Sequence, residues 1–409
     1  MSRIVLIALM IVISTSFAFA QEATPEPTPE GPIRLVVWLP DTLSIADVIE
    51  EESILEAQTQ AFVESLEEPV EIEFRLKRVG TVGGIMSTLR SASSVAPGAL
   101  PDITLLRRQD LVVAQRSGLI RSMEGLVSSA VVGGLDTALV LGQVDGELVG
   151  VPYLLNLQHV VYRPDANTDY DTWTFDAMLE RGESFIFPAG RATGINDVLL
   201  LQYLVAGGTM PRDGTFEFNA EGLQVTLEFY ENALRAGLLD AQVLNYVSAA
   251  DYTELFQMGQ VDVGVFPSNM YLMMHAEDET LQAAPIFTET GEPVTLLDGW
   301  SWVLVTGDPD RQDVAAQYIN WMLDIDRQGV YAQSVSMLPS QRSAFSRWLP
   351  DGVDVRLFTS LLDNATLPFI DSDGITAISI AQDALGAVLR EEQTAAEATE
   401  AISAQLNVE

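Results

Sequence analysis

The sequence predicts an α/β protein of two lobes. Three observations carry that expectation: the length of 409 residues, the alternation of strand-like and helix-like segments along most of the chain, and the segment 299–325. One hydrophobic core seldom serves so long a chain, so two cores are expected. A mean hydropathy of +0.19 and a hydrophobic content of 48% supply enough apolar surface for both and exclude a disordered chain. Segment 299–325 reads as a strand bearing Trp300 and Trp302, a turn, and an amphipathic helix. Asp308 followed by Pro309 offers a side-chain cap and a ring already set for the first helical turn. Val314, Tyr318, Met322 and Ile325 then fall on one apolar face.

The other elements follow in order. Ile33 to Trp38 is a strand closed by Pro40-Asp41, and a helix follows with Leu55, Thr59, Phe62, Val63 and Leu66 on one side. From Val70 to Leu76 apolar residues alternate with Glu71, Glu73 and Arg75, the pattern of a strand with one wet face. Gly83-Gly84 turns the chain into a helix, and Pro101-Asp102 introduces a short buried strand, Ile103 to Leu106. Further on, Asn219 caps a helix that carries Leu223, Leu227, Tyr230 and Leu234 on one face and stops at Gly237. Val261 to Phe266 is a buried strand, and 382–405 is helical with a capping box at Thr394 and Glu397. No repeat of fixed period occurs.

At the N-terminus, Arg3, the apolar run Ile4 to Ile13 and Ala18-Phe19-Ala20 have the layout of a secretory signal cut after Ala20. The Pro-, Thr- and Glu-rich stretch 21–32 is expected to be an extended linker. The formal charge is −37, from 21 basic and 58 acidic residues, and Lys77 is the only lysine. No cluster of cations could displace counterions from phosphates, so nucleic acid is not an expected partner. There is no cysteine, which excludes disulfides, thiolate nucleophiles, thiolate-held metals and a lipid-anchoring thiol. The two histidines, His159 and His275, have no metal spacing, and no G-x-S-x-G elbow, P-loop or dinucleotide fingerprint occurs. Neither an enzyme nor a resident metal or cofactor is expected, although a glycosidase carboxylate pair could hide among so many acids.

Several segments, in order, resemble the extracellular solute-binding protein family 1, the maltose-binding-like class that serves ABC importers. Pro101 to Leu106 with Ala114 to Ile120 is similar to that family's Pro-Asp strand and the Gly-Leu turn behind it. Asp145-Gly146-Glu147-Leu148-Val149-Gly150-Val151-Pro152-Tyr153 is the most specific local match. Val160 to Asp165, Trp173, Phe256 to Gly264 and the tail Ala387 to Ala401 resemble further segments. Two departures stand out: Tyr162-Arg163 replaces a tyrosine-asparagine pair, and no lipobox cysteine follows the signal.

The resemblance implies the two-lobed periplasmic-binding-protein fold (type II), mixed sheets flanked by helices with a hinge between lobes. Lobe 1 would comprise 33–155 plus 300–338, and lobe 2 would comprise 156–299 plus 339–409. The crossings would fall near Leu155 to Gln158, Asp298 to Gly299, and Pro339, with ligand held in the crevice where strand ends of both sheets meet. In that crevice Trp38 and Trp300 would stack on a ligand. Arg107, Gln109, Tyr153, Asn156, Asn269, Tyr271 and Arg342 would supply polar contacts. Trp302, and Arg108 beside Arg107, stay open between ligand contact and structural use. Iron-binding relatives use adjacent tyrosines; none occur here, so ferric iron is not the expected cargo. The implied function is a monomeric extracytoplasmic receptor that takes up a small polar solute, a sugar or oligosaccharide, and delivers it to a membrane ABC permease. Two alternatives stay open: a secreted glycan-processing enzyme, and a solute-sensing partner of a membrane receptor.

Overall fold

The computed structural model describes residues 31–43, 53–80, 82–166, 170–191, 194–209, 218–367 and 372–406. The signal-like segment 1–20 and nearly all of the linker 21–32 lie outside them. Along the chain run β1 (Ile33–Pro40), α1 (Ile54–Ser65), β2 (Val70–Lys77), α2 (Ile85–Val95), β3 (Ile103–Arg107), α3 (Arg108–Arg116) and α4 (Ser129–Gly134). Next come β4 (Gln143–Val144), β5 (Glu147–Leu148), β6 (Val151–Tyr162), α5 (Phe175–Arg181), β7 (Phe185–Ile186), α6 (Asp197–Val205) and α7 (Ala220–Arg235). They are followed by α8 (Thr253–Gln257), β8 (Val263–Pro267), α9 (Ser268–Glu277), β9 (Gln282–Ala284), β10 (Thr295–Leu304) and α10 (Pro309–Met322). The chain finishes with α11 (Ile325–Ser334), β11 (Leu338–Pro339), α12 (Val355–Asp363), β12 (Ala365–Thr366), α13 (Ser372–Leu389) and α14 (Ala395–Leu406).

The strand order is β2-β1-β3-β10-β6-β8-β7. The first three strands are parallel, β10 is antiparallel to both β3 and β6, and β8 is antiparallel to β6. Twelve-residue β6 therefore serves two regions of sheet. Its first half pairs with β10 and β11, and its second half with β8 and β9. At the middle, Leu155 lies opposite Gly299 on one side and Leu338 on the other, so three chain passages meet there.

Alternation decides what each strand buries. In β1, Leu35, Val37 and Leu39 enter the main core, while Trp38 points to the other face. In β10, Trp302 and Leu304 join the main core and Val303 joins the same second cluster as Trp38. α2 and α3 cover that second cluster through Ile85, Leu89, Leu111 and Val112. The specific motif at 145–153 folds as the β4–β5 hairpin running into β6. Asp145 and Gly146 take φ of 51° and 84° there, the left-handed pair a two-residue turn needs.

Helix starts follow their caps. Asn219, Asp308 and Asp324 each accept a backbone N–H of the first turn, and Thr394 and Glu397 close a reciprocal box. Asp324 corrects one expectation: it starts a separate helix at Ile325, which is 39% exposed instead of continuing the buried face of α10.

Candidate functional site

A cleft of about 1270 Å3 lies over the junction of β6 and β10, bordered by α2, α3, α6 and α9. Its floor is polar and continuous across the two sheet regions. Arg107, the last residue of β3, pairs with Asp298 of β10, whose backbone stands opposite Asn156 of β6. Asn156 then reaches α9: its Oδ1 accepts the Asn269 N–H at 3.0 Å and the Ser268 hydroxyl at 2.9 Å, and its Nδ2 donates to Asn269 Oδ1 at 2.9 Å. α9 needs this, because its cap residue is Pro267, which has no side-chain acceptor. Farther along, Gln158 Nε2 and Arg191 Nη2 both donate to the Asp197 carboxylate, at 3.0 and 2.7 Å. Gln158 Oε1 is buried without a partner.

Charge is concentrated on the wall formed by α2 and α3. Arg90, Arg108, Gln109 and Asp110 line it, with Arg107 at the floor. Burial pushes the Arg107 and Arg108 guanidiniums down from their usual values. Burial also raises the Asp110 carboxyl, against the pull of Arg107 and Arg90. Arg108 donates through Nη1 to the Leu141 and Gln143 carbonyls, while its Nε is buried and unpartnered. Among the described residues neither tryptophan nor tyrosine lines the cleft, and the one aromatic in that lining, Phe266, is fully buried.

Of the residues expected from sequence, Arg107, Gln109, Asn156 and Asn269 come together in this cleft. Trp300 stands beside it, 8% exposed, in a recess of about 10 Å3 that shares Met86 and Asp110 with the cleft. The Arg107 guanidinium lies 6.0 Å from its ring. The remaining four are placed elsewhere. Trp38 is 2% exposed, because α2 closes over its face of β1; the Lys77 ammonium sits 4.4 Å from its ring. Tyr153 occupies a bulge. Trp300 pairs with Leu154 and Ser301 with Pro152, so Tyr153 has no partner on β10, and its ring packs against Trp302 and Tyr331 at 5.5 and 5.7 Å. Tyr271 turns inward on α9, with its ring edge-on to His159 at 5.2 Å. Arg342 pairs with Asp363 at the surface, outside the cleft. Trp302 is fully buried against Tyr318.

Sequence reasoning did not reach Arg90, Asp110, Gln158, Arg191 and Asp197. They belong to unremarkable stretches of helix, strand and loop, and only the folding of α2, α3, β6 and α6 around one opening brings them together. Asp298 had one signal, its place beside Gly299 at a crossing. Among the described residues no group of His, Asp or Glu side chains is arranged to hold a metal ion, and no helix is long and apolar enough to cross a membrane.

Two sheet regions sharing their central strands, with a polar cleft over the junction, define a two-lobed binding fold, and solved structures share it. The sugar-binding protein MalE from Xanthomonas citri superposes with a TM-score of 0.70 at 16% identity, covering 91% of this chain and 96% of its own. The cyclic α-maltosyl-1,6-maltose binding protein from Arthrobacter globiformis gives 0.68 at 17%, covering 92% and 99%. The maltose-binding MalE of Listeria monocytogenes, solved with maltose, gives 0.68 at 13%, covering 92% and 98%. No curated protein sequence matches the chain. The family model described as bacterial extracellular solute-binding protein matches residues 61–351, and the chain belongs to that family.

Proposed function

We propose that this protein captures a small polar solute, a carbohydrate or a compound of similar polarity, in the cleft over β6 and β10 and presents it to a membrane ABC permease. The observation that carries this reading is the floor, where Arg107–Asp298 and Asn156–Asn269 offer donors and acceptors from both sheet regions to one opening. Its volume of about 1270 Å3 exceeds the ~300–1,000 Å3 of ordinary small-ligand pockets, which leaves room for a solute together with water or for more than one sugar ring. Maltose-type ligands in proteins of the same fold support a carbohydrate.

On this reading the lobes are 33–155 with 300–338, and 156–299 with 339–409. The crossings are β6, β10 and β11, and Leu155, Gly299 and Leu338 sit where the hinge would bend. Arg107 and Gln109 would contact solute from one lobe and Asn156 and Asn269 from the other, with closure stabilised because only the closed form makes both sets. Trp300 would join only if closure or a ligand opened its recess. The protein would act outside the cytoplasm as a monomer, without a cofactor and without catalysis.

A thermal-melt screen of sugars, polyols, sugar acids and small peptides tests the reading, since a ligand of the native state must raise the melting temperature. The responding compound is expected to lose most of its shift in Asn269→Ala. A solute whose shift survives both Asn269→Ala and Gln109→Ala binds elsewhere, and the assignment fails.

A further inference from the structure

This inference rests on the cleft being a solute site. We propose that the solute it takes is anionic, a polyhydroxylated compound bearing a carboxylate or a phosphate, held by the arginines of the α2–α3 wall.

The distribution of unpaired cations is the first ground. The chain has 58 acidic residues against 21 basic ones, and most of the described arginines pair with a carboxylate. Among the described residues, the basic side chains outside any ion pair are Lys77, Arg78, Arg90, Arg108 and Arg121. Arg90 and Arg108 line the cleft, and Arg78 lines the recess beside it. Arg90 is exposed and has no side-chain hydrogen bond, so its fork of donors is available.

The second ground is the balance of charge inside the opening. Among the described lining residues, four arginines (90, 107, 108 and 191) meet three aspartates (110, 197 and 298), a small positive excess within a chain of charge −37. The surrounding field repels anions, so a receptor for them must gather its cations locally. Asp298 and Asp197 are already engaged by Arg107 and Arg191, and Asp110 feels Arg107 and Arg90 only at longer range, so neither Arg90 nor Arg108 is tied into an ion pair. The third ground is what the wall lacks: among the described lining residues there is no exposed aromatic face, so they offer no platform for stacking on a neutral sugar ring. The first turns of α2 and α3, whose caps Gly84 and Arg107 supply no side-chain acceptor, border the same opening, where the positive ends of both helices favour an anion.

Calorimetric titration of the full chain tests this with three sets of compounds: glucuronate and galacturonate, glucose 6-phosphate and glycerol 3-phosphate, and the neutral sugars glucose and maltose. Binding is expected from one of the two anionic sets, and which one distinguishes carboxylate from phosphate. Affinity should fall tenfold or more in Arg90→Gln and should weaken as salt rises from 0.01 to about 0.15 M, where screening shortens to roughly 8 Å. The unliganded melting temperature of Arg90→Gln should stay close to the wild-type value, because the exposed side chain it replaces makes no hydrogen bond or close ion pair. Neutral sugars that bind while both anionic sets do not would overturn this inference and leave the solute-binding reading standing. An anion whose affinity is unchanged in Arg90→Gln overturns it as well. Silence from all three sets also overturns this inference, and the solute-binding reading then stands or falls on the wider melting screen.

Discussion

Arg107 and Asp298 form an ion pair that joins the end of β3 to the middle of β10, and Asp298 Oδ1 also accepts the Gly299 N–H at 2.8 Å. One carboxylate thus orients a cleft cation and steadies the residue beside the crossing. The pair is solvent-reached, with side-chain exposures of 47% and 28%. Asp298→Ala should therefore change stability by less than about 1 kcal/mol. Its effect on the cleft ligand should be larger, roughly tenfold in affinity, because Arg107 loses its fixed position. Denaturation and titration of the same variant check both halves; a large stability loss with unchanged affinity would reverse the interpretation.

Gly299 is demanded by space. A Cβ there would lie 2.2 Å from the Leu154 carbonyl oxygen and 3.1 Å from the Leu155 Cα, both backbone atoms that cannot swing away. Gly299→Ala is expected to cost more than about 2 kcal/mol and to disturb the β6–β10 register beside the bulge. Urea unfolding measures it, and a change under about 0.5 kcal/mol would show that the strands can part there at little cost.

Asp102, 2% exposed, accepts the Val36 N–H at 2.7 Å and Arg311 Nη1 at 3.1 Å, which locks β1, the start of β3 and α10 together. Asp102→Ala leaves a buried N–H unpaired and should destabilise by about 2–3 kcal/mol. Ligand affinity, measured at a temperature where the variant is folded, should be unaffected because the site is remote from the cleft lining.

His159 is fully buried, and burial lowers its pKa from 6.5 to about 4. The unfolded chain takes up a proton below about pH 6.5 and the folded chain does not, so the contribution is whole above pH 6.5 and is lost as pH falls towards 4. The loss should amount to on the order of 3 kcal/mol. His159→Phe, which keeps a ring against Tyr271 and Phe358, should remove that part of the slope. If wild type and variant lose stability in parallel between pH 6.5 and 4, the imidazole is not responsible.

The Tyr153 hydroxyl is buried and has no partner, and the ring is packed between Trp302 and Tyr331. Tyr153→Phe should shift stability by no more than about 1 kcal/mol in either direction and leave solute affinity unchanged. A clear loss of affinity would return this residue to the binding site.

Local chemistry was enough to find the elements. Alternation marked β2, and the Asp308-Pro309 and Asn219 caps marked helix starts, because each depends on neighbours within a few residues. Ordered motifs also pointed to the family and to Arg107, Gln109 and Asn269, which stand at a strand end or in the first turn of a helix, and to Asn156 at the middle of β6.

Whether an aromatic lines the cleft is decided by packing between distant segments. Trp38 is covered because α2 folds onto its side of β1, Tyr153 because an extra residue in β6 sends its ring towards α11, and Arg342 is claimed by Asp363. No period in the chain records these events, since each depends on contacts made only after the sheet is assembled. The cluster of Arg90, Arg191 and Asp197 has the same origin: charges scattered over a hundred residues become one surface only when helices from both sheet regions surround a single opening.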